Sequence, residues 1–143
     1  MTCFASRYTI VAVLGLTLVG CTRHTSIPEN VNEQLRSGAT RVNIGQTGDL
    51  AWDDMFVFGP YSPKDGTCKT LRLNGSECSA AGIRDVDEGE FLLVFLQRGR
   101  VSKIESFPRT VGNFDDNCLA KDIARSAAVF TVERRPAVYL MCR

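Results

Sequence analysis

The sequence predicts an α+β domain, mostly antiparallel sheet with one or two short helices, stapled by two disulfides. Three observations carry this. Short β-favouring segments recur between turn signals, few segments have helical length and period, and of six cysteines the four beyond residue 21, at positions 68, 78, 118 and 142, are even in number. At 143 residues, 44% hydrophobic and 23% charged, the chain suits one folded domain with a modest core.

Arg41-Val42-Asn43-Ile44 alternates as a short strand should. The segment from Trp52 to Phe58 is rich in aromatic and β-favouring residues, and Gly59-Pro60 stops it. On a regular strand Trp52, Asp54, Phe56 and Phe58 share one face, and Asp53, Met55 and Val57 the other. Phe91 to Leu96 is a continuous apolar run with the look of a central buried strand. A turn at Arg98-Gly99 joins it to the alternating Val101 to Phe107 as a hairpin. Ala128–Val132 and Ala137–Met141 flank Glu133–Pro136 as a second hairpin, and Leu119 to Ala128 is a helix candidate.

The cysteines constrain the segment between the two aromatic strands. A Cys₄ zinc site is disfavoured, because no C-x-x-C pair occurs and the spacings match no common module. Two disulfides remain, with three pairings open. Ser62-Pro63-Lys64-Asp65 reads as a helix start with a Ser cap and Pro at the first position. Asn74-Gly75 is then either the helix stop or a two-residue hairpin turn. The hairpin would hold Cys68 and Cys78 too far apart to bridge. The helix reading favours Cys68–Cys78 and Cys118–Cys142.

The first 20 residues have another character. One positive charge, Arg7, precedes an apolar run from Tyr8 to Val19 that ends in Leu18-Val19-Gly20-Cys21. The run is short for a bilayer span and suits the h-region of a signal peptide. Leu18-Val19-Gly20-Cys21 resembles the lipobox of bacterial lipoproteins. The resemblance implies cleavage between Gly20 and Cys21, with acyl chains on Cys21. Two or three chains would anchor stably, each buried methylene contributing about 0.8 kcal/mol. Position 22 is Thr rather than Asp, which by the same resemblance favours the outer membrane, facing the periplasm, over the inner. Residues 1–20 are thus read as signal peptide, 21–38 as lipidated N-terminus and polar tether, and 39–143 as the globular domain.

A second resemblance covers most of residues 41–132. Trp52-Asp53, Phe56-Val57-Phe58-Gly59-Pro60-Tyr61-Ser62-Pro63, Leu92-Leu93-Val94-Phe95, Phe107-Pro108-Arg109, Gly112-Asn113-Phe114, Cys118 and Ala128-Val129-Phe130 are similar to a group of small exported proteins and lipoproteins of Gram-negative bacteria. It implies one compact domain and an envelope location, and no activity. This chain departs from that group around Gly66 to Gly82.

Charge and residue inventory narrow the chemistry. Arg7 is the only one of 17 Lys+Arg within residues 1–20, which hold none of the 16 acids, so the rest balances at 16 of each. A neutral chain argues against nucleic acid as partner. The single histidine, His24, lies in the tether, which disfavours a histidine-dependent nucleophile. Asp85 to Glu90 fails as a calcium loop, with Glu90 sixth and Leu96 twelfth, and reads as a solvated acidic turn. No metal or cofactor is expected. Asp53, Asp54, Asp115 and Asp116 are the carboxylates considered for hydrolysis, with turn roles the stronger reading. Trp52, Phe56, Phe58 and Tyr61 are the candidate interaction surface, although core packing explains most of them.

The expectation is a non-enzymatic, envelope-anchored protein that binds another envelope protein. The alternative is an inhibitor or immunity protein against a hydrolase or toxin.

Overall fold

The computed structural model describes residues 25–47 and 50–142. Residues 1–20, read above as a signal peptide, lie outside the described residues, as do Cys21 and His24.

Two four-stranded sheets stack face to face. The first has the order β4-β3-β2-β6, with β2 at Asp54–Phe58, β3 at Glu90–Gln97, β4 at Arg100–Pro108 and β6 at Ile123–Ala124. The second has the order β1-β7-β8-β5, with β1 at Arg41–Asn43, β5 at Asn113–Phe114, β7 at Val129–Arg135 and β8 at Ala137–Met141. All strand pairs are antiparallel except β5 with β8. Both predicted hairpins form, and the second is tighter than expected, since β7 continues through Arg135 and opposes it to Ala137.

The continuous apolar run of β3 has a direct cause. Phe91, Leu93 and Phe95 point into the core between the sheets, with Met55, Val57, Phe107, Phe114, Phe130 and Leu140. Leu92, Val94 and Leu96 point the other way, into a second core with Phe58, Cys68, Leu71, Cys78, Ile83 and Val86. This sheet is buried on both faces, so neither side of its central strand has a polar residue to alternate with. A pair of short helices, α2 at Lys64–Thr70 and α3 at Gly75–Ala80, forms the third layer.

The disulfides hold the thin parts together. Cys68–Cys78 joins α2 to α3 with Cα atoms 5.7 Å apart. Cys118–Cys142 joins the 3₁₀ turn after β5 to the end of β8, Cα atoms 5.4 Å apart. Two short helices cannot bury enough apolar surface to hold their own arrangement, and a covalent tie limits the unfolded alternatives.

Four expectations need correction. Residues 27–36 are not tether: Ile27–Arg36 is a helix, α1, with Ile27 and Val31 buried in the core between the sheets. Its start is a capping box, in which the Ser26 hydroxyl accepts from Glu29 N–H and the Glu29 carboxylate accepts from Ser26 N–H. Ile27, Val31 and Leu35 then recur at four-residue spacing, and the globular part includes this helix. Tertiary bonds seat it: Ile27 N–H donates to Glu105 Oε1 at 2.9 Å, and Arg134 donates to the carbonyls of Leu35 and Ala39 at its C-terminal end.

Asn74-Gly75 is neither helix stop nor hairpin turn. Asn74 is the N-cap of α3, in a reciprocal pair with Glu77. Nor does Ser62 cap α2. The helix begins after Pro63, and Asp85, far along the chain, accepts from Lys64 N–H at 2.7 Å. The segment Leu119 to Ala128 is not an α-helix either. Its β6 pairs with β2 over Asp54↔Ala124 and Met55↔Ile123, and Ala120 has φ 53°, a left-handed conformation that interrupts a helix. Apolar residues at 119, 123 and 127 imitate helical spacing, but pairing with β2 satisfies the backbone.

The acidic turn has a structural role. Glu90 Oε1 accepts from Arg84 at 2.5 Å, and Ser106 donates to its other oxygen. The Arg84 hydrogen bond outweighs burial, and with Ser106 it holds the Glu90 carboxyl down to about 2. A folded value below that of the unfolded chain stabilises the fold above the unfolded value, and the gain is lost as pH falls towards 2. In urea titrations across pH, the stability gap between the wild type and Glu90→Gln should therefore close on acidification from about pH 5 to about pH 2. A gap that stays constant would assign the pair no linkage to folding.

Candidate functional site

The four candidate interaction residues do not form one surface. Trp52 is 3% exposed and packs edge-on against Phe95, ring centroids 5.2 Å apart, in the core between the sheets. The alternation that grouped it with Phe56 and Phe58 fails because β2 starts only at Asp54. Asp53 sits in a bend where its Oδ2 accepts from Arg98 N–H at 2.7 Å. Phe56 and Phe58 stack on one another and face the helical layer, Phe58 buried and Phe56 half-buried.

Tyr61 alone is presented to solvent, at 71% exposure. It follows the stop at Gly59-Pro60 and has φ 65°, a left-handed conformation unusual for a bulky residue. The surrounding chain fixes it there. Tyr61 N–H donates to Val86 O at 2.9 Å, Val86 N–H to Ser62 O at 3.0 Å, and Ser62 N–H to Gly59 O at 3.2 Å. The ring reaches Glu88, with Arg109 close by. Desolvation of the hydroxyl, then the hydrogen bond to Glu88 and its charge, raise the phenol above its ordinary value. Arg109 also donates to Glu88 O at 3.3 Å. The corner is thus a rigid mount for one exposed aromatic ring beside one acid and one base.

The four carboxylates considered for hydrolysis are separated. Asp53 binds Arg98 N–H, and Asp115 caps the 3₁₀ turn at Asp116–Cys118 by accepting from Asn117 N–H at 3.0 Å. Asp116 is exposed at that turn. Asp54 instead meets Asp122, which the sequence reading did not consider. Partial burial, then the charges of Asp122 and Asp53 and a hydrogen bond with Asp122, raise the Asp54 carboxyl. The pair borders a groove of about 430 Å³ whose other walls include Phe56, Leu71, Arg72 and Leu96. Only the pairing of β6 with β2 brings Asp122 here, and no local pattern signals that. Among the described residues no group of three or more His, Cys, Asp or Glu side chains has the arrangement to hold a metal ion. No described helix is long and apolar enough to cross a membrane.

No protein-family model, curated protein or solved structure matches the chain. Function is therefore argued from the chain itself.

Proposed function

We propose that the chain is an envelope-anchored lipoprotein whose folded domain docks another envelope protein through the Tyr61 corner. The observation that supports docking is Tyr61 itself. A large aromatic ring stands exposed on a left-handed backbone, and several cross-loop hydrogen bonds hold it there. Strain of this kind costs about 1–3 kcal/mol and persists where the surroundings enforce it. Tyrosine on a pre-ordered loop loses little entropy on contact and is a frequent energetic centre of interfaces.

Anchoring rests on Leu18-Val19-Gly20-Cys21 and the apolar run before it. With α1 starting at Ile27, only residues 22–26 separate Cys21 from the domain. Five residues reach at most about 18 Å, so the domain would work close to the membrane. The partner is accordingly sought in the same membrane or just above it.

The test is capture from detergent-solubilised envelopes with the lipidated protein, comparing wild type with Tyr61→Gly. Glycine removes the ring and suits φ 65°, so the variant should melt no lower than wild type. A partner kept by wild type and lost by the folded variant is the expected result. An equal yield from both would end the Tyr61 assignment. Intact mass of the bait reads acylation at Cys21, and an unmodified Cys21 would end the anchor. The partner's identity separates an accessory component from an inhibitor or immunity protein.

A carboxylate-only acid–base catalyst is the second reading, favoured by the Asp54–Asp122 contact beside its groove. Two carboxyls in hydrogen-bond contact stand closer than the ~5 Å or more that glycoside hydrolysis uses, so that reaction class is not supported. A proton-sharing pair is the chemistry that remains.

A further inference from the structure

At the open end between the two sheets lies a cleft of about 850 Å³, within the range of small-molecule sites. One wall comes from β1 and the start of β7, the other from β6 and the 3₁₀ turn Arg125–Ala127. Its apolar lining is Ile123, Ala124, Ala127, Val129 and the bridged Cys142. The same lining carries Arg41 and Lys121, the amide of Asn117 and the hydroxyl of Ser126.

The ion pairs of the described residues are Arg84–Glu90, Lys103–Glu105 and Arg135–Glu133, so Arg41 and Lys121 have no such partner. Asp122 also borders the cleft, but its carboxyl is engaged with Asp54. Two unpaired cations, two neutral hydrogen-bonding groups and Asp122 thus share the lining with apolar side chains, one cation more than anions.

We propose that this cleft binds a small molecule with an apolar body and an anionic headgroup, the body against Ile123 and Val129 and the headgroup held by Arg41 and Lys121. The guanidinium of Arg41 offers a planar fork to two oxygens, and Lys121 adds a mobile point charge. Carboxylate and phosphate share this chemistry. The site is independent of the Tyr61 corner, which contributes nothing to its lining.

Fluorine NMR on the full lipidated chain in phosphatidylcholine nanodiscs tests it, with empty nanodiscs as reference. The probes are 4-fluorophenylacetate, 4-fluorophenyl phosphate and the neutral 4-fluorobenzyl alcohol, and inorganic phosphate serves as competitor. At least one anionic probe should broaden saturably and bind about 10-fold or more tighter than the alcohol, as one charge-assisted contact implies. The tighter of the two anions identifies the headgroup. Arg41→Gln with Lys121→Gln should bring the anion to the level of the alcohol; both side chains are exposed and unpaired, so the fold is kept. Inorganic phosphate, lacking a body, should compete only weakly. Absence of saturable binding, equal binding of alcohol and anions, or an unchanged affinity in the double variant would each overturn the proposal.

Discussion

Phe114→Ala is expected to destabilise the domain by about 3–5 kcal/mol, the range for deleting a fully packed aromatic ring. Phe114 is 3% exposed and lies on β5, a strand of only two residues. Its ring meets three others edge-on: Phe91 at 5.4 Å, Phe107 at 5.0 Å and Phe130 at 5.3 Å between centroids. Phe91 and Phe107 belong to the β4-β3-β2-β6 sheet and Phe130 to the other, so this side chain rivets the sheets together. Edge-to-face contacts add about 0.5–1.5 kcal/mol each beyond area burial. Urea unfolding with the disulfides intact measures the loss. Phe114→Leu, which keeps most of the volume, should recover more than half of it. An alanine variant within about 1 kcal/mol of wild type would show that the sheets are joined elsewhere.

The second large effect is expected at Arg125. Its Nε donates to Gly45 O at 2.8 Å, and one terminal nitrogen donates to Leu50 O at 3.3 Å and Trp52 O at 3.5 Å. The guanidinium carbon lies 5.1 Å from the centre of the Trp52 ring. Between β1 and β2 this one side chain supplies donors to three backbone carbonyls. Approach is close enough that a Cβ on Gly45 would stand 2.3 Å from Arg125 O, which explains glycine at that position. Arg125→Met keeps the apolar stem and removes every donor, so it isolates the polar contribution. A cost of about 2–4 kcal/mol follows from losing charge-assisted bonds and leaving half-buried carbonyls unmatched. Arg125→Lys should recover only part, because an ammonium lacks the fork. A methionine variant that melts with wild type would mean that water serves those carbonyls equally well.

Much of this fold was legible in the sequence. The period-two pattern of β4, the unbroken apolar run of β3 and the Arg98-Gly99 turn mark one sheet, and four cysteines beyond Cys21 with a helix read from Ser62-Pro63 to Asn74-Gly75 pointed to Cys68–Cys78 and Cys118–Cys142, although Asn74 starts a second helix rather than stopping the first. Each signal is local, or follows from short-range chain geometry. The α1 helix was legible too, in Ser26-x-x-Glu29 and in Ile27, Val31 and Leu35, but its polar composition masked it. The candidate site was legible only in part. Gly59-Pro60 announces a corner at Tyr61, but no local pattern distinguishes a ring that is presented from one that is packed.

What the sequence by itself determined is what backbone preference and side-chain period mark locally: the longer strands, the two hairpins and the cysteine staples. What only the tertiary structure decided is which distant residues meet. Trp52 turned inward because Asp53 bends to reach Arg98. Asp85 became the cap of α2 because residues 83–88 pack along the Tyr61 corner. Asp122 met Asp54, and Arg41 and Lys121 came to line one cleft, because β6 pairs with β2 and β1 lies in the other sheet. These meetings depend on strand register and on how two sheets stack, free energies spread over the whole core, and so no short window of residues contains them.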